Sequence, residues 1–167
     1  TKDEFVEPQV SIKPSVIPNI NLALQQNAFP VIREIEILNL TPERYSEVEL
    51  TVRANPGFLI ERTWPIDRLD SGSQLILDDY RVELNSQYLR EITESLMGEI
   101  VFTLKQGATI LDEVTAKVQL LSKDEWGGVG CLPEIIASFV QPNDPAVQGI
   151  LRDASKRLEA SGNKKSL

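Results

Sequence analysis

Glu47-Val48-Glu49-Leu50-Thr51-Val52-Arg53 decides the fold. Val48, Leu50 and Val52 alternate with charged or hydroxyl residues, so a backbone of period two places all three apolar side chains on one face. A helix would scatter them, whereas a strand lying on a core gathers them. The same alternation recurs in Ile100, Phe102 and Leu104 against Val101, Thr103 and Lys105, and in Val114, Ala116, Val118 and Leu120 against Thr115, Lys117 and Gln119. Ile20, Leu22 and Leu24 follow it against Asn19, Asn21 and Ala23. Weaker strands are expected over Val10–Ile12, Val31–Leu38 and Leu75–Leu84, giving about seven in all.

Turn chemistry separates them. Thr41-Pro42-Glu43-Arg44 and Asn55-Pro56-Gly57 are turns, because proline presets φ and glycine accepts positive φ, and Asp70-Ser71-Gly72-Ser73 is another. Lys105-Gln106-Gly107 is expected to close a hairpin. Between Asn85 and Leu96 the spacing becomes Leu89, Ile92, Leu96, which is helical, with Asn85 or Ser86 as N-cap. This predicts a short helix crossing between sheets.

After Leu121 the pattern changes. Trp126-Gly127-Gly128-Val129-Gly130 punctuates the chain, and Ile135, Ile136, Phe139 and Val140 then form an apolar stripe behind Pro133. Pro142 stops that segment. Asp144-Pro145 opens a second, in which Val147, Ile150, Leu151, Ala154 and Leu158 share a face as far as Gly162. The expectation is a mainly β protein. An immunoglobulin-like antiparallel sandwich of about seven strands occupies 1–125, a two-helix extension packed on it or on a next domain 126–161, and a linker 162–167.

The 167 residues suffice for one sizeable core. Their 17 Lys and Arg against 25 Asp and Glu give a net charge of −8, with no histidine. Without histidine there is no Ser/His/Asp triad and no imidazole ligand for zinc. A single cysteine, Cys131, can form neither an internal disulfide nor a thiolate cluster. Residues 152–167 carry five Lys or Arg against two acids, a +3 tail read as a solvated helix end, so DNA contact is not expected. No apolar run is long enough for a membrane span. The lone thiol and the lack of an export signal favour the cytoplasm. Thr1 at the start, with Met97 the only methionine, suggests part of a longer chain.

Four features have a chemical reading beside a plain one. Asp67, Asp70, Asp78 and Asp79 would hold calcium if they converged at one end of the sandwich, and are otherwise solvated loop acids. Gly127, Gly128 and Gly130 lack the Lys-Ser/Thr of a phosphate-binding loop and read as a joint. Cys131 lies near a helix start, where a thiol pKa falls, but no histidine is present to act as base. Trp64 and Trp126 are packing anchors by default.

Three blocks are more distinctive: Asn21-Leu22-Ala23-Leu24-Gln25-Gln26-Asn27 with Pro30-Val31-Ile32-Arg33, then Lys123-Asp124-Glu125-Trp126-Gly127-Gly128, and Leu132 to Val140 running through Gln141-Pro142-Asn143-Asp144-Pro145-Ala146-Val147. Together they resemble the N-terminal region of large bacterial superfamily I DNA helicase-related proteins. The resemblance implies a β-sandwich followed by a transglutaminase-like segment, a domain of unknown function, a helicase motor and often a nuclease-like fold. ATP and magnesium would belong to the absent motor, and no catalytic residue, metal or cofactor is expected in this fragment. Its expected role is a non-catalytic accessory module docking downstream domains or a protein partner. The candidate surface is Trp126, Gly127, Gly128, Pro133, Pro142, Asn143, Asp144 and Pro145, where sandwich meets helices. A calcium- or ligand-binding sandwich recruiting a partner through its end loops is the alternative.

Overall fold

The computed structural model describes residues 9–122. The strands are β1 (Val10–Val16), β2 (Asn19–Ile20), β3 (Ile32–Asn39), β4 (Tyr45–Asn55), β5 (Arg62–Leu69), β6 (Gln74–Ile76), β7 (Leu96–Gln106) and β8 (Thr109–Leu120). Two short helices interrupt them, α1 (Leu22–Gln26) and α2 (Ser86–Glu91). One sheet has the order β1-β3-β6 and the other β2-β8-β7-β4-β5. Every pairing between these strands is antiparallel except β2 with β8, which run parallel.

The alternation read from the sequence fills the core. Val48, Leu50 and Val52 of β4 are fully buried, as are Ile100, Phe102 and Leu104 of β7. Ile35 and Ile37 of β3 and Leu120 of β8 join them in one apolar cluster. Gly98 on β7 admits a close approach, since a Cβ there would lie 2.7 Å from Cε1 of the buried Phe58. Gly107 opens the two-residue β7–β8 turn at φ +57°, as the hairpin reading requires.

Where the chain passes between sheets, side chains hold the crossings. Asn39 at the end of β3 is fully buried. Its Nδ2 donates to the carbonyls of Glu43 at 2.8 Å and Asp70 at 3.0 Å, and its Oδ1 accepts from the Thr41 amide and hydroxyl. One amide thus fastens both the β3–β4 and the β5–β6 connections. Asp112 of β8 accepts the Ile12 amide of β1 at 2.7 Å, which ties the two sheets at their other margin.

Three expectations need correction. Ile20–Leu24 is not a strand: β2 ends at Ile20, Asn21 accepts the Leu24 amide as an N-cap, and α1 follows. The Asn side chain satisfies an orphan helical N–H, and that local bond prevails over the alternation. The expected Leu75–Leu84 strand pairs only over Gln74–Ile76. β5 is missing from the sequence expectation, because Pro65 and four charged or hydroxyl neighbours obscure Trp64, Ile66 and Leu69; the described residues hold eight strands against about seven expected. The helix near Asn85 is present, with Asn85 accepting the Tyr88 amide. The expected extension over 126–161 and linker over 162–167 lie outside the described residues.

Candidate functional site

Trp126, Gly127, Gly128, Pro133, Pro142, Asn143, Asp144 and Pro145 also lie outside the described residues. The described part presents another feature, an extended segment from Asp79 to Leu84 that belongs to neither sheet. Backbone bonds hold it on one side: the Ile60 amide donates to the Glu83 carbonyl at 2.7 Å, and Leu84 forms an isolated bridge with Leu59. Just ahead of it the Leu77 amide donates to Ile35 of β3 at 3.1 Å. Arg81, Val82 and Glu83 line a hollow on either side, so the segment is a ridge between the loop before β5 and the α1–β3 connection.

One flank of the ridge is an apolar groove of about 380 Å³. Its floor includes the buried Leu24 and Ile32, and the half-buried Phe29, Tyr80 and Val82 form walls. α1 places Leu24 and Gln25 there, and the chain turns out of α1 through Ala28 at φ +51° so that Phe29 folds back against the groove.

The other flank is polar. Arg62 lies 4.5 Å from the Trp64 ring centroid, a cation–π stack, and its guanidinium meets Asp79 Oδ2 at 2.7 Å and the Arg81 carbonyl. Asp79 Oδ1 accepts from the Arg81 amide at 3.1 Å and from Arg81 Nε at 3.2 Å. The Arg62 hydrogen bond first, then the Arg81 amide and side chain, hold the Asp79 carboxyl well below the usual carboxylate range. Trp64 is buried, and its Nε1 has no hydrogen-bond partner among the described residues.

The four loop acids do not assemble a cation site. Asp70 is paired with Arg44 at 2.9 Å and Arg68 at 3.1 Å, while Asp79 is taken by Arg62 and Arg81. Among the described residues no group of three or more His, Cys, Asp or Glu is placed to hold a metal. The outer face of the larger sheet is polar and internally matched. Thr63, Thr51, Thr103 and Glu113 form one cross-strand row. Within it Thr51 and Thr63 hydroxyls lie 3.0 Å apart, and Thr103 donates to Glu113 at 2.8 Å.

The arrangement sets a carbon-lined groove and an arginine-rich flank on either side of one ridge. The sequence reading placed Tyr80 and Val82 inside the expected Leu75–Leu84 strand and took Asp79 only as one of four loop acids, so the groove was not anticipated. Only the mismatch between the expected ten-residue strand and the three residues that pair marks it. The chain matches no protein-family model and no curated protein. Among the described residues no helix is long and apolar enough to cross a membrane.

Proposed function

We propose that this chain is a non-catalytic interaction module of immunoglobulin-like build, an accessory unit of a helicase-related protein that docks downstream domains of the same chain or a protein partner. Strand order supports the build. One sheet pairs the first, third and sixth strands, and the other carries the last two strands between a parallel edge strand and the β4–β5 hairpin. That order fits a variable-type immunoglobulin sandwich with some strands omitted, which supports the reading. The helicase-related parent rests on the three sequence blocks, and ATP and magnesium would serve its motor, outside this fragment.

The observation that carries the functional reading is the ridge, with an apolar groove on one flank and the Arg62–Asp79–Arg81 cluster on the other. Apolar centres rimmed by arginine and tyrosine are the composition of recognition surfaces. Calorimetric titration of the full chain against the separately expressed downstream region of its parent tests it. Saturable binding that Arg81→Glu weakens about tenfold, as loss of a contributing interface arginine does, is the expected result. No binding, or binding indifferent to Arg81→Glu, overturns the docking of downstream domains on this face.

A further inference from the structure

We infer that the apolar groove beside the ridge is the seat of the chain's own segment 131–141, whose stripe Ile135, Ile136, Phe139 and Val140 lies against Phe29, Tyr80 and Val82. This rests on the interaction-module reading and narrows it, since a filled groove leaves the Arg62–Asp79–Arg81 flank as the surface open to downstream domains or a partner.

Position is the first support. The Leu121 amide donates to the Ile20 carbonyl at 2.8 Å, so the end of β8 lies against the residue that leads into α1. Ser122 is still buried there. The groove begins on the far half of α1, at Leu24 and Gln25, and a five-residue helix is only about 7.5 Å long. The chain therefore leaves the described fold within one short helix of the groove, and a further 45 residues follow Ser122. An extended stretch of about 13 residues, from Ser122 to Ile135, spans up to about 45 Å, ample for the approach.

Chemistry is the second support. Four apolar residues at 135, 136, 139 and 140 make a stripe that cannot remain in water without cost, roughly 25 cal/mol for each Å² exposed. The groove shows a matching deficit, with half-buried aromatic and aliphatic walls above a fully buried floor. A segment tethered next to its site binds at a high effective concentration, which favours it over a free second copy at ordinary protein concentrations.

The test uses the full chain carrying Tyr80→p-benzoylphenylalanine, irradiated and digested with trypsin. Cleavage after Lys123 and Arg152 isolates a peptide holding the whole stripe. The expected product has the mass of one chain, its cross-link falls in peptide 124–152, and its yield does not depend on protein concentration. Phe139→Asp should cut that yield roughly tenfold, the equilibrium change for losing one buried aromatic side chain, whereas Ser138→Asp, outside the stripe, should leave it unchanged. An unchanged circular dichroism spectrum shows that the labelled chain is folded. A cross-link between two chains, or label consumed without reaching peptide 124–152, overturns the assignment. Either outcome leaves the Arg81 titration to decide the interaction-module reading separately.

Discussion

Ala28 stands at a position where the backbone favours glycine. α1 ends in a Schellman closure: the Phe29 amide bonds back to Leu24 at 2.9 Å and the Ala28 amide to Gln25 at 3.2 Å, which requires left-handed backbone at Ala28. An L-residue there pays steric energy of about 1–2 kcal/mol, partly offset by the extra chain entropy glycine loses on folding. Ala28→Gly is expected to stabilise the protein by about 0.5–1 kcal/mol, read as a melting temperature raised by about 2–5 °C. Asn39 is the opposite case, a buried polar residue whose every hydrogen-bonding group is engaged. Asn39→Ala leaves carbonyls of both inter-sheet connections without their donor, and each such buried group costs about 1–3 kcal/mol. A loss of about 3 kcal/mol in urea unfolding, with an unchanged denaturant slope, is the expected outcome.

At the scale of elements, β4 is legible in the sequence because it is buried on one face and solvated on the other, whereas β7 keeps the alternation in residue type although Val101 and Thr103 on its second face are buried as well. β5 escaped because it is an edge strand. Pro65, facing Glu49 in the register, lacks an amide, which a strand tolerates only where that position points away from its neighbour. The same device recurs on β1, where the outward amide of Ile12 is taken by Asp112 and the next outward position is Pro14. The remaining edges, β2 and β6, run to two and three residues. Each edge of both sheets is thus blocked or too short to template another chain. Pro65→Thr restores a donor in the middle of the longest edge, and sedimentation velocity should then show stronger concentration-dependent self-association than the unsubstituted chain. α1 was illegible for a different reason: Asn21 favours a cap over continued alternation, and period-two spacing over five residues does not register that preference.

For the whole molecule, the core was readable and the site was not. Core positions declare themselves by periodicity, whereas the ridge is defined by what surrounds it. Whether Tyr80 and Val82 are core or surface depends on how far the β3–β6 pairing extends, and that is set by tertiary packing. The candidate surface expected from the sequence, Trp126 to Pro145, lies outside the described residues. One arrangement of strands has a mechanical meaning. β2 runs parallel to β8, with Gln119 bonded to Pro18 and Leu121 to Ile20, and β1 leads into β2 in the same direction. Tension drawn along the chain between residues ahead of β1 and those beyond Ser122 would slide these strands lengthwise past one another. Their bonds would then share the load and give way together, so a pull along the chain would meet a clamp where the chain enters and leaves the described fold.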